Sequence, residues 1–294
     1  MKLHRAALAA LALVSCAALA EDSVDRKNPA SATGEVEVDS VAGVVSISGW
    51  DRNEVHVTGT LGDGVERLDF ETQGNRTIVK VVHKRRGRWE DDTELSIRIP
   101  KGSRLHAKTV SAELSVTNVV GQQELQTVSG DISTSIVKAD ADVSTVSGNI
   151  TLRGEGQSTV VSVTTVSGDA RITRVSGDVR ANSVSGTLSV SMDQVKRARA
   201  QTTSGDLALA GTLEKDGRID AESISGEVQV DLRGKINAYF DVESFSGDIE
   251  NCFGPKPERA DKYGPGTELH FKEGDGGGRV RLQTLSGTVS LCNK

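Results

Sequence analysis

One short phrase recurs along the chain and constrains its fold more than any other feature. It reads Val128-Ser129-Gly130-Asp131-Ile132, Val146-Ser147-Gly148-Asn149-Ile150, Val166-Ser167-Gly168-Asp169 and Val184-Ser185-Gly186-Thr187-Leu188. It returns at Thr203-Ser204-Gly205-Asp206, Ile224-Ser225-Gly226-Glu227, Phe245-Ser246-Gly247-Asp248 and Leu285-Ser286-Gly287-Thr288. With Ser111 as the first marker, the serines at 111, 129, 147, 167, 185, 204, 225 and 246 are separated by 18, 18, 20, 18, 19, 21 and 21 residues. Ser176-Gly177 falls midway between two markers, so each coil holds two similar half-turns. The last step, from Ser246 to Ser286, is 40 residues, or two coils with a less regular one between them.

Around each marker the apolar residues alternate, as in Val179, Ala181, Val184, Leu188 and Val190, which is the pattern of a strand with one buried face. The Ser-Gly pair breaks the alternation at a fixed place, where glycine reaches backbone angles closed to other residues and serine bonds nearby backbone. Strands this short and this evenly spaced cannot each close a core, but stacked they bury a continuous one. The expected fold is all-β: a β-solenoid resembling a single-stranded β-helix, with coils of about 19 residues, each paired with the one before it about 4.8 Å away. Right-handed coiling is the default for parallel crossovers. A β-sandwich with coincidentally similar strands is the alternative, and the even spacing opposes it.

The spacing divides the chain into a leader at 1–20, a flexible tether at 21–33, an N-terminal β region at 34–104 that caps the solenoid, and the solenoid at 105–294. The cap carries antiparallel-looking strands around Val36 to Val57, Ile78 to Val82 and Leu95 to Ile99, with turns at Gly43, Gly62-Asp63-Gly64 and Gly74-Asn75. No segment holds helical periodicity over three turns, so almost no helix is expected in the mature chain.

Residues 1–20, MKLHRAALAALALVSCAALA, have the basic start, apolar stretch and small-residue end of a secretory signal peptide. Its removal leaves 33 basic against 41 acidic side chains, a net charge of −8. Export to the periplasm or cell envelope is expected. Leu13-Val14-Ser15-Cys16 also resembles a lipobox, which makes Cys16 a candidate lipidation site and an outer-membrane-anchored lipoprotein the alternative. Membrane contact is expected only in that case, since no later segment is long and apolar enough to span. With 35 basic and 41 acidic residues overall, the chain lacks the basic excess of a nucleic-acid binder.

The combination of Ser48-Gly49-Trp50-Asp51 with Glu54-Val55-x-Val57, Ile97-x-Ile99-Pro100-x-Gly102, the Val-Ser-Gly-Asp series, Phe253-Gly254 and Thr284-Leu285-Ser286-Gly287 is similar to one known group. It resembles the bacterial exported β-strand-repeat proteins of unknown function usually labelled "putative adhesin". The resemblance implies an all-β repeat fold at the cell envelope and brings no catalytic residues or cofactor with it.

Four candidate sites stand out. Asp131, Asp169, Asp206 and Asp248 recur at one position of successive coils and are weak candidates for a cation, which would need six to eight oxygens. At about 4.8 Å spacing adjacent carboxylates repel by roughly 0.9 kcal/mol even in water. Turn chemistry, each Asp bonding its own backbone beyond the glycine, is the simpler expectation. The repeat serines lack a base, because His56, His83, His106 and His270 all lie outside the coils of Ser129 to Ser246. Lys84, Arg85, Arg86, Arg88 and Trp89 read as a hairpin tip that could dock a phosphorylated lipid or an acidic partner. Cys252 and Cys292 each follow a marker serine by six residues, which puts them at equivalent positions and, in neighbouring coils, within disulfide reach.

The expected function is non-catalytic: an exported envelope protein whose solenoid surface binds or adheres to a protein or glycan partner. No cofactor is expected. The alternatives are a carbohydrate-active β-helix enzyme or a purely structural envelope component. The enzyme would need paired carboxylates and aromatic platforms, and residues 105–235 contain no aromatic residue.

Overall fold

The computed structural model describes residues 22–84, 93–260 and 264–293, and among these it contains 22 strands and no helix. The chain is all-β and solenoid-like. Each coil contributes a strand to one parallel stack, turns at the Ser-Gly corner, and contributes a shorter strand to a second parallel stack. The first stack runs through Gln123–Ser129, Ala141–Ser147 and Ser158–Ser167, with Ser129, Ser147 and Ser167 in register. The second runs through Ile132–Ile136 and Ile150–Gly154 to the start of Ala170–Ser185. Ser176-Gly177 forms the opposite corner, inside that same long strand and level with Ser158-Thr159.

Alternation explains the core. Leu125, Val143 and Val161 point inward from the first stack, Ile132, Ile150, Leu152 and Ile172 from the second, and all belong to one buried cluster. Burial of a Val, Leu or Ile side chain contributes about 1.5–3 kcal/mol, and here that gain repeats in every coil. Branched residues suit this pleated interior better than aromatic rings, which would overfill it.

Both ends of the stack depart from sequential order. Glu35–Trp50 forms a full coil, its two halves pairing in parallel with Arg104–Thr117 on one side. On its other side it pairs with Arg76–His83 and Glu94–Pro100, so the stack begins well before residue 105. The antiparallel strands are those that cover this end: Val65–Gln73 on Arg76–His83, and Glu54–Leu61 on Glu94–Pro100. The segment expected as a tether is also ordered here, since Asp22–Pro29 pairs antiparallel with Glu54–Leu61 and protects an otherwise open edge.

At the other end Gly278–Ser286 inserts between the Ser225 and Ser246 coils instead of following the latter. Ser225 pairs with Ser286, and Ser286 with Ser246. Thr267–Glu273 then covers Ala238–Ser246 in antiparallel register. The 40-residue step in the sequence is this excursion and return. Phe240, Phe253 and Phe271 fill the end, with Phe240 and Phe271 stacked at 4.5 Å between centroids.

Candidate functional site

The Ser-Gly corner sets the surface. Gly168 has φ +138°, and a Cβ built on it would collide with the Gly148 carbonyl, whose carbon lies at 2.8 Å. Gly148 stands in the same relation to Gly130, and Gly186 to Gly168. Each glycine thus lets the next coil approach, and the Gly168 amide donates to the Ser185 carbonyl at 3.2 Å. The residue after the glycine ties coils together. Asp131 Oδ1 accepts the Asn149 amide at 2.7 Å, Asp169 Oδ1 the Thr187 amide at 2.8 Å, and Asp206 Oδ1 the Glu227 amide at 3.0 Å. These bonds cross from coil to coil, whereas the sequence suggested that each Asp would bond its own turn. Interleaving places Thr288 between Glu227 and Asp248 in the same column.

Two residues before each corner serine, a Thr or Ser side chain points into the core: Thr127, Thr145, Thr165, Ser183, Thr202 and their equivalents are all buried. Except for Ser244, whose Oγ donates to the Gly287 carbonyl at 3.1 Å, their hydroxyls make no hydrogen bond among the described residues. The next residue points out. Val128, Val146, Val166, Val184, Ile224, Leu285 and Phe245 are 43–62% exposed, forming one apolar row along the first stack, interrupted only by Thr203. A contiguous exposed apolar row of this kind marks an interaction surface more often than bare solvent contact.

At its C-terminal end the row becomes the floor of a cleft of about 690 Å³, where Ile224, Leu285 and Phe245 lie side by side and Ala260, Gly266, Thr267 and Glu268 supply a wall. Glu222, Glu243 and Glu268 line its rim. Gln201 Nε2 donates to Glu222 at 2.6 Å and Gln283 Nε2 to Glu243 at 2.7 Å. Beside the cleft His270 Nδ1 lies 3.1 Å from Asp241, and its Nε2 3.6 Å from Glu268. Asp241, Glu243 and His270 offer ligand atoms within 4.8 Å of one another, so this cluster, and not the histidines singly, is where a divalent cation could be held. Arg281 stands 4.0 Å from Asp241 on the same face.

Cys252 and Cys292 are bridged, with Cα atoms 4.8 Å apart, as their equivalent positions implied. Lys84 donates from Nζ to the Asp63 carbonyl at 2.8 Å. Arg85, Arg86, Arg88 and Trp89 lie outside the described residues, as do residues 1–20 with Cys16. Trp50 belongs to the N-terminal turn: its Nε1 donates to the Glu54 carbonyl at 2.9 Å and Arg52 lies over its ring. Sequence reasoning missed the cleft and the apolar row. Alignment of the repeats on the Ser-Gly pair shows the row, but not the interleaving that brings Leu285 between Ile224 and Phe245.

A parallel-stacked, corner-glycine repeat covered at both ends by antiparallel strands defines the class of protein. The chain belongs to the Toastrack DUF4097 family, whose profile matches residues 34–292. No curated protein matches it. Among solved structures it is similar to a putative adhesin from Bacteroides fragilis, with 10% identity, 94% of this chain and 98% of that one covered, and a TM-score of 0.47. A putative adhesin from Parabacteroides merdae shows 9% identity, covers 92% and 96%, and has a TM-score of 0.38. A putative cell adhesion protein from Clostridium sporogenes shows 10% identity, covers 93% and 100%, and has a TM-score of 0.25.

Proposed function

We propose that this chain is a non-catalytic, exported envelope protein, a β-solenoid with coils of about 19 residues, that binds a partner on the outer face of its first stack. The observation that carries the reading is the exposed apolar row ending in the cleft of Ile224, Leu285 and Phe245. Rigid repeats present such extended surfaces without conformational cost at binding. The three glutamates on the rim favour a partner segment that is apolar with flanking positive charge.

The test is site-specific photocrosslinking in the native host, with the photoreactive residue at position 245 or, as control, at position 171 on the second stack. The expected result is a saturable adduct from 245 that disappears in a Leu285→Lys background. Identical adduct patterns from both positions, or indifference to Leu285→Lys, would overturn the cleft as the binding site.

A further inference from the structure

The outer face of the first stack carries a second feature, next to the cleft and independent of it. Six and eight residues before the corner glycines, arginines meet in direct register. Arg197 pairs with Arg218, and Arg218 with Arg279, across three successive rungs. Two residues nearer the corner, Arg180 and Arg199 are neighbours, and Arg281 follows beyond Asp220. All six side chains are exposed. Like charges directly opposite on adjacent strands destabilise a sheet, so a column of three is not what folding alone selects.

Their partners within the chain are few. Arg197 lies 3.5 Å from Asp178 and Arg281 4.0 Å from Asp241. Arg180, Arg199, Arg218 and Arg279 have no ion pair or hydrogen bond among the described residues, although the chain carries 41 acidic residues against 35 basic ones. Guanidinium groups in this array offer forked donors that match phosphate, sulfate or carboxylate.

From these observations we propose that the column Arg197, Arg218 and Arg279, with Arg180, Arg199 and Arg281 beside it, is a binding site for a linear acidic polysaccharide. The borders decide between a narrow chain and a plane. Asp142, two rungs from Arg180, flanks the patch on one side and Asp241 and Glu243 flank it on the other, so the arginines occupy about four rungs, roughly 15 Å at strand spacing. A flat anionic membrane would press against those carboxylates too, while an extended glycan laid along Arg197, Arg218 and Arg279 avoids them, with Asp178 paired to Arg197 and Asp220 in the column beside. Asn182, two residues beyond Arg180 on the same strand, supplies an amide for sugar hydroxyls.

The full chain without its leader would be titrated with dextran sulfate, with polygalacturonate and with neutral dextran at low and high salt. Both acidic polymers are expected to bind and neutral dextran not to, with affinity falling at least tenfold as salt rises. Arg197→Gln/Arg218→Gln/Arg279→Gln is expected to lose roughly tenfold or more in affinity. Arg153→Gln/Arg171→Gln/Arg233→Gln, the same charge change on and just beyond the strands of the second stack, is expected to lose less than about twofold. Equal losses in the two triple variants would overturn the site. So would binding of phosphatidylglycerol vesicles or duplex DNA as tight as that of the acidic polysaccharides, which would assign the patch to a membrane or to unselective polyanion attraction.

Discussion

Replacing Gly168 by alanine tests the physical basis of the whole stack. Gly168 sits mid-column at φ +138°, its Cβ position facing the Gly148 peptide with the carbonyl carbon at 2.8 Å and the nitrogen at 3.3 Å. An alanine there has two costs. Holding a non-glycine residue at that backbone angle costs about 1–3 kcal/mol. Moving the coils apart to admit the methyl weakens the Gly148 amide bond to Ser167, worth about 1 kcal/mol, and opens packing below it. The sum, about 3–5 kcal/mol, is a large share of the roughly 5–15 kcal/mol that stabilises a folded domain. For a chain of this size it corresponds to a fall of about 10 °C in Tm. The comparison is Gly74→Ala, where φ is +61° but nothing lies within 4 Å of the added carbon. That substitution bears only the backbone term, about 1–2 kcal/mol. Thermal and urea melts followed by far-UV circular dichroism read both. Equal losses would refute coil-to-coil approach as the reason for the glycine column and leave turn geometry alone as its cause.

The disulfide, closing a separation of 40 residues, contributes about 4 kcal/mol on the loop-entropy argument. Cys292→Ser is therefore expected to melt well below oxidised wild type and to ignore reductant; a variant melting as high as wild type would refute this. Thr165 is 1% exposed with an unpartnered hydroxyl, so Thr165→Val is expected to be neutral or stabilising by calorimetry. A loss above about 1 kcal/mol would show that the hydroxyl is satisfied, for instance by internal water. Burial, then the neighbouring Glu37, raises the Asp39 carboxyl above its ordinary 3.8, against the opposing pull of Lys80 and Lys108. The folded chain then holds that proton more tightly than the unfolded one, so stability falls as pH rises through the window just above 3.8. Asp39→Asn is expected to melt at or above wild type at pH 7, with the difference shrinking toward pH 4; a difference that widens on acidification would contradict the sign.

The local part of this fold is legible in the sequence because it is periodic. Val-Ser-Gly-Asp marks the corner, the alternation of Val143, Thr145 and Ile150 marks the interior, and the positions of Cys252 and Cys292 mark a bridge that the structure contains. What was not legible is order at the ends. Nothing in Glu35–Trp50 announces that it pairs on both faces, with Arg104–Thr117 and with Arg76–His83, because parallel register depends on which edge is free when the chain returns. The same holds for Gly278–Ser286. Its phrase Leu285-Ser286-Gly287 identifies it as a coil, but only the antiparallel cover of Thr267–Glu273 over Ala238–Ser246 leaves the Ser225 edge for it to occupy. The tether was misjudged for a related reason. Asp22–Pro29 is polar and has no alternation of its own, and its order comes from the strand it pairs with and from Arg26 and Asn28, which donate to the Leu68 and Phe70 carbonyls.

The repeat that builds the core also determines where a ligand face can arise. Because Thr or Ser must point inward before each corner, the following residue must point outward, and its identity is free of packing. In stack order that column reads Val110, Val128, Val146, Val166, Val184, Thr203, Ile224, Leu285, Phe245, so side-chain size grows toward one end. A column under solubility pressure alone would carry charge, as its neighbours Ser144, Glu222 and Gln283 show that polar residues are accepted on this face. The three largest residues instead converge where the strand cover raises a wall and the cleft opens. The arginine column begins on the adjoining rungs, with Arg199 and Arg281 one pleat from the Gln201 and Gln283 that line the cleft. Apolar floor, glutamate rim and guanidinium border therefore occur together on the last rungs of one rigid face, while the earlier rungs, Val128 to Val166, keep only the row. The proposed binding surface falls on the coils that depart from the repeat at positions the core does not constrain.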